Sequence, residues 1–447
     1  MTEHRASQVA DRILDRRGQH AFSAVALRVV VDHCMQTVEM FAPFERLERA
    51  ILRQNAITMD AFVSPKILVW ARETASLSLA EAAKKAGISP VTLEFAELGT
   101  GHVSTTQLEN LANVYKRPLA AFYLSEPPAT PVALPDFRRL PGGAGREVSP
   151  SLALELRRAR QRRDETIKLA NELEEELPKF AVGFSLDDSV GRVATLLRQA
   201  LNVSLDTQRT WRSSDKALKA WKTAVERAGV LVFEMSRVPV SEVRGVAIHF
   251  DSLPVIILNG ADEAAARTFS LFHELVHIGL GVSAIDDGAD AGHGLTDSES
   301  RVEIFCNAVA AEVLVPESAM RPLIDRSPNS DVTGEIVASA KAFSVSREVI
   351  ARRLLTLGRI ESQRYSELQE QFRIDYASFL AERKKKSSGA PSPTVIQARN
   401  LSRTLSRLAL NAYEQDQLSL NGVSEILGVR ARAVNDFREI VRREVTA

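Results

Sequence analysis

Cysteine is close to absent: Cys34 and Cys306 are the only two in 447 residues, so a disulfide framework is excluded and a reducing compartment fits. Long apolar runs are missing as well. No stretch is apolar enough to span a bilayer, and the opening MTEHRASQVADRILDRR lacks the hydrophobic segment of a secretory signal. The expected setting is the cytoplasm, with no membrane partner. Nor does one sign of charge dominate. Lysine plus arginine equals aspartate plus glutamate at 57 each, so no global field draws the chain to nucleic acid, and any DNA contact must come from a local patch.

What is present is an ordinary globular composition, 45% hydrophobic and 26% charged, which argues against wholesale disorder and against a fibrous class. The length calls for two or three domains with helical connectors. Residues 1 to about 58 read as helical without a recognisable motif. Met59 begins a segment resembling a natural N-terminus, so the preceding residues are either a dispensable extension or the product of a misassigned start. From Ser64 onward five short helical segments follow in about sixty residues. The second and third meet at Gly87, Ile88 and Ser89, where glycine permits a sharp turn and Ser89 can cap a helix starting at Pro90. That is the pattern of a helix-turn-helix.

The stretch EPPATPVALPDFRRLPGGAGREVSP marks a strap between domains. After it, a helix with a basic first half, LRRARQRR, and an acidic end, NELEEELP, reads as a solvated connector. From Gly229 the period turns toward two. GVLVFEMS, RGVAIHF and PVIILNG are expected to be three short strands leading into a helix, an α+β unit. Beyond residue 330 the chain is helical again, interrupted by the polar segment KKKSSGAPSP. KAFSVSREVIARRLLTLGRI and NGVSEILGVRARAVNDF share the helix-turn-helix cadence but are expected to serve as packing helices.

The chemistry concentrates in ADEAAARTFSLFHELVHIGLG. Asp262 can cap this helix, and Gly279 with Gly281 can stop it. His273 and His277, four residues apart, leave one face about a turn from each other, as two ligands of one tetrahedral zinc must. Glu274 is turned roughly 100° from His273, beside a bound ion, where a carboxylate can act as general base on a water whose pKa the metal has lowered. The surrounding positions are apolar nearly all round, so the histidines lie in a buried helix. Two core histidines satisfied by hydrogen bonds are the competing reading. A third ligand is required. Glu303, in SESRVEIFCNAVAAEVLVP, is the best donor, on a face shared with Asn307 and Ala310, and small alanines allow close approach to the first helix. Glu299, one turn earlier, is the rival.

FSLFHELVHIGLG together with EIFCNAVAAEVLVP resembles the ImmA/IrrE family of bacterial metallopeptidases, over roughly residues 215 to 325. The resemblance implies zinc ligation by His273, His277 and Glu303, with Glu274 as catalytic base, and an activity limited to cleaving a partner repressor. His293, in the intervening loop, has no counterpart in that pattern. It could steady an oxyanion, or it is a surface histidine. Residues 64 to 125 resemble the lambda-repressor-like, or XRE, helix-turn-helix family, whose third helix enters the major groove. Here that helix, SPVTLEFAEL, offers Thr92 and Ser89 but no basic residue, and it carries Glu94 and Glu97. DNA would have to be met through Lys66, Arg72, Lys84 and Lys85, or the domain serves protein contacts instead.

The expected architecture is multidomain, mainly α with an α+β core: an N-terminal lambda-repressor-like domain, a central HExxH zincin-like metallopeptidase domain and a helical C-terminal region. Boundaries fall at 1–60 for the extension, 61–126 for the helix-turn-helix and 127–210 for strap and connectors. They continue at 211–325 for the peptidase domain, 326–383 for a helical region, 384–395 for a flexible linker and 396–447 for the C-terminal helices. The expected function is zinc-dependent proteolysis of one protein, a repressor or toxin-system partner, with DNA bound through the helix-turn-helix and a homodimer as the natural assembly. A non-enzymatic regulator or antitoxin with a structural or sensory metal is the alternative, and hydrolysis of small peptides is a third.

Overall fold

The computed structural model describes residues 60–75, 77–128, 148–286, 297–326, 331–385 and 391–446. The N-terminal extension, Met59, much of the strap, His293 and residues 386–390 of the linker lie outside the described residues. Two compact units separate. In the small one, strand β1 (Asp60–Ala61) pairs antiparallel with β2 (Val103–Ser104), Ala61 opposite Val103.

The large unit begins with helices α1 (Pro65–Glu73), α2 (Leu79–Ala86) and α3 (Pro90–Glu97); α4 (Thr105–Tyr115) starts in the small unit, and a 3-10 turn, Leu119–Tyr123, follows. Ser78 and Glu81 form a reciprocal capping box at the start of α2, and Gly87 ends it at φ +69°. Ser89 stands at the N-cap of α3, but its side chain makes no capping bond; Pro90 sets the first turn instead.

The chain continues through α5 (Pro150–Glu172), α6 (Val190–Leu201), α7 (Leu205–Thr210) and α8 (Ser214–Arg227) into a four-stranded sheet. Its strands are β3 (Leu231–Met235), β4 (Gly245–Ile248), β5 (Val255–Asn259) and β6 (Ala284–Asp286), in the order β3-β5-β4-β6. β3 and β5 run parallel, whereas β4 is antiparallel to both β5 and β6. The fourth strand was not apparent from the sequence: three residues are too short for a period-two signal.

Both faces of this sheet are apolar, so both are covered. Val232, Ala247, Ile256 and Leu258 face one core, built with α6, α8, α9 (Ala264–Gly279) and α10 (Asp297–Leu314). After α11 (Glu317–Arg326), helices α12 (Val332–Phe343), α13 (Arg347–Thr356) and α14 (Ser362–Lys385) add Ile336, Phe343, Ile350, Leu354 and Leu368 to the same core. Leu231, Phe233, Val246, Ile248, Val255 and Ile257 face the second core. It is closed by α5 together with α15 (Pro393–Asn400), α16 (Arg403–Glu414), α17 (Leu420–Leu427) and α18 (Val434–Thr446).

Two expectations need correction. α5 is not a solvated connector: Leu152, Leu156, Ala159, Leu169 and Ala170 are buried in the second core. Two of its arginines are absorbed by backbone carbonyls, Arg163 donating to Ser252 and Leu253 and Arg157 to Thr74 at 2.8 Å. Burial pulls Arg157 down to about 10, with Arg117 and Arg158 adding to the effect. The linker expected over 384–395 is also narrower, since α14 runs to Lys385 and α15 starts at Pro393.

Candidate metal centre

α9 is the helix on which the site is built. Its N-cap is Glu263 rather than Asp262; Asp262 instead accepts the Glu263 amide through Oδ1 at 2.9 Å and meets Arg244 through Oδ2 at 3.3 Å. The helix runs through Gly279, and the chain turns off at Gly281, φ +75°. Leu271, Phe272, Leu275, Val276 and Ile278 are all buried, and Phe272 meets Trp221 edge to face at 4.8 Å. With apolar packing on every side, the two imidazoles are carried inside, 2% and 0% exposed.

Inside, three donors converge. His273 Nε2 lies 3.1 Å from His277 Nε2, 3.1 Å from Glu303 Oε2, and His277 Nε2 is 3.4 Å from Glu303 Oε1. The three form a group with metal-ligand geometry. Glu303 reaches them from α10, which lies against α9 through the buried small residues Cys306 and Ala310. The Asn307 Oδ1, one turn along α10, stands 3.1 Å from His273 Nδ1. Accepting from Nδ1–H leaves the Nε2 lone pair pointing at the other two donors. Burial, then the neighbouring His273, holds His277 well below the ordinary histidine range, so its ring is neutral, as a ligand must be.

This donor set fits a divalent cation. A proton can bridge only two of the three lone-pair atoms, whereas one cation at their centre satisfies all of them. Tetrahedral zinc with bonds of about 2.0–2.2 Å separates its donors by roughly 3.3–3.6 Å, close to the spacings here. His2Glu is also a zinc donor set that leaves a fourth position open.

Glu274 is completely buried on the side of α9 that meets β4. Gly245 makes that approach possible: a Cβ there would lie 2.6 Å from Glu274 Oε1 and 2.9 Å from its Cγ. No pattern in the strand RGVAIHF signals this contact, which only the fold creates. The side chain of Glu299, the alternative third ligand, lies outside the described residues.

The predicted DNA contacts are spread over one turn. Lys84 and Lys85 are exposed at the end of α2, Ser89 is exposed, and Thr92 is half-buried on α3. Arg72 and Lys66 do not belong with them. Arg72 forms a two-pronged pair with Glu97, Nε to Oε1 at 2.8 Å and Nη2 to Oε2 at 2.9 Å, and Lys66 pairs with Glu126. Glu97 is thereby turned inward, leaving Glu94 as the acid exposed on α3, beside Val91, Phe95 and Leu98.

A helix carrying a buried His–His–Glu group, packed on a small mixed sheet and preceded by a helix-turn-helix, is the arrangement expected of a metallopeptidase-type domain joined to a helix-turn-helix domain. Comparison with known families agrees. The IrrE N-terminal-like domain model of the M78 peptidases matches residues 225–355, and a helix-turn-helix model matches residues 68–122. The chain is a fusion of an XRE-type helix-turn-helix domain with an IrrE/ImmA-like domain. No curated protein and no solved structure matches it. The peptidase match passes residue 325 because α12 and α13 share the core of α9.

Proposed function

We propose that this chain is a zinc-dependent endopeptidase and transcriptional regulator that cleaves one partner protein, a repressor or toxin-system component. It reaches DNA through Ser89, Thr92, Lys84 and Lys85 as a dimer. The observation that carries the enzymatic reading is the convergence of His273, His277 and Glu303, with the buried carboxylate of Glu274 next to His273 on the same helix. Zinc held by the three ligands supplies polarisation of a peptide carbonyl and acidification of water to a pKa of about 7. Glu274 takes the proton of the attacking water and returns it to the departing amine. Asn307 fixes the ring of His273, and Gly245 lets the Glu274 carboxylate sit against the sheet.

The test compares cells expressing the wild type with cells expressing Glu274→Gln, by mapping newly formed protein N-termini and by zinc analysis of both proteins. A cleavage product present in the first and absent in the second, at equal zinc content, supports the proposal. Unchanged regulation and no lost cleavage product with Glu274→Gln would replace it with a non-enzymatic regulator organised by its metal.

A further inference from the structure

The helix-turn-helix of α2 and α3 is repeated near the C-terminus in the same local grammar. Ser78 caps an eight-residue helix that ends at Gly87, φ +69°, followed by Ile88, and Ser89 stands at the N-cap position of the next helix. Ser419 accepts the Gly422 amide at 3.1 Å and caps the eight-residue α17, which ends at Gly428, φ +62°. Val429 follows, and Arg430 caps a 3-10 turn, Ala431–Ala433, that runs into α18. Ser424 Oγ donates to the Val429 carbonyl at 2.9 Å and fixes the turn. Val423 and Leu427 of α17 and Val434 and Phe437 of α18 are buried with Leu405, Leu408 and Ala412 of α16, so the three helices pack together within the second core. α12 and α13 form a third such unit, with Ser344 at φ +57° and Ser346 as cap.

The three units differ in what their second helix presents. α3 has no basic residue. α13 has spent its cations: Arg347 pairs with Asp375 at 2.9 Å, Arg353 with Glu312 at 2.5 Å, and Arg352 lies over the Tyr365 ring. The segment 430–443 carries Arg430, Arg432, Arg438, Arg442 and Arg443 against only Asp436 and Glu439. Arg438 and Arg442 meet Glu414, and Arg442 also meets Glu439. Arg430 and Arg432 are exposed and enter no ion pair among the described residues. They stand, with exposed Asn435, at the N-terminal end of the second helix, the end whose side chains reach base edges when such a unit docks in a major groove. Arginine and asparagine there have matching two-point partners on guanine and adenine.

We infer that α16–α18 form a second nucleic-acid-binding module, which takes duplex DNA in its major groove through Arg430, Arg432 and Asn435. This site is independent of the peptidase centre and of the N-terminal helix-turn-helix. Its substitutions leave folding intact, because the three side chains are exposed and outside the core.

The experiment measures fluorescence anisotropy of the full-length protein with a labelled random-sequence DNA duplex across a salt series. Four proteins are compared: wild type, Arg430→Ala/Arg432→Ala, Arg430→Lys/Arg432→Lys, and Lys84→Ala/Lys85→Ala. The C-terminal double substitution is expected to weaken binding about ten-fold near 0.1 M salt and to lower the salt slope by about 2, with an unchanged thermal melt. Arg430→Lys/Arg432→Lys is expected to keep the slope. The lysine variant at α2 reads the N-terminal domain separately. Wild-type affinity in the C-terminal variant, no binding of duplex DNA by the wild type, or preference for an RNA of the same sequence would each overturn the inference.

Discussion

The carboxamide oxygen of Asn307 stands 3.1 Å from Nδ1 of His273, on the side of the ring opposite the atom that faces Glu303. One residue four positions beyond Glu303 on α10 thus meets the ring of His273 on α9. Asn307→Ala is expected to lower zinc affinity by about 10- to 100-fold, the usual cost of losing such an outer partner, whereas Asn307→Asp keeps the acceptor and most of the affinity. Competition against a chelator of known affinity measures both.

Gly245 and Glu274 make a second prediction. A methyl at 245 collides with the buried carboxylate and with the Cγ that carries it. Gly245→Ala is expected to cost about 1–3 kcal/mol of stability. It should abolish cleavage at unchanged zinc content, because the atoms a methyl would meet belong to Glu274 and not to His273, His277 or Glu303. Denaturant unfolding and zinc analysis separate the two effects.

A buried ionic cluster links α8, β3, α9 and α15. Glu234 receives Lys222 at 2.9 Å, Arg267 at 2.6 Å and Arg399 at 3.3 Å, while Lys222 also donates to the Arg399 carbonyl. Burial alone would raise the Glu234 pKa, but the three cations outweigh it and hold it below the ordinary glutamate range. Its contribution to stability is therefore full above the unfolded value of about 4.3 and is lost as pH falls through the lower folded value. Glu234→Gln leaves buried cations uncompensated and is expected to cost roughly 3–5 kcal/mol at neutral pH. Its stability should also fall less steeply on acidification than that of the wild type, as read from urea unfolding between pH 6 and pH 3.

The pair of Arg72 and Glu97 bears on the N-terminal domain. Since both side chains are engaged with each other, Arg72→Ala is expected to lower the stability of that domain by about 1–3 kcal/mol while leaving DNA affinity nearly unchanged. Limited proteolysis and anisotropy measure the two quantities. A large loss of affinity in a variant that is still folded would return Arg72 to the DNA surface.

Much of this could be read from the amino acids. The four-residue spacing of His273 and His277 in an apolar helix places both rings inside on one face, and the E-x-x-x-N block brings Glu303 into view one helix later. What stayed hidden depends on contacts between distant segments. Gly245 and Glu274 are 29 positions apart in sequence, and nothing local in either tells of the other. The apolar stripe of α5, Leu152, Leu156 and Ala159, is diluted by arginines whose charges suggest solvent, because their bonding to carbonyls across the fold has no sequence signature. Asp262 was an equally good cap by residue type, and only the local backbone assigns that place to Glu263. Glu97 reads as an acid on a DNA-facing helix until Arg72 is found beside it.

The central claim is that His273, His277 and Glu303 hold one divalent ion. It is tested most directly by metal analysis of protein purified without chelators or metal-affinity steps, then dialysed against zinc. Wild type and Glu274→Gln should each hold about one zinc per chain, and His273→Ala and Glu303→Ala well under half of that. Wild-type protein that takes up no zinc, or a Glu303→Ala variant that binds it as tightly as the wild type, would contradict the account.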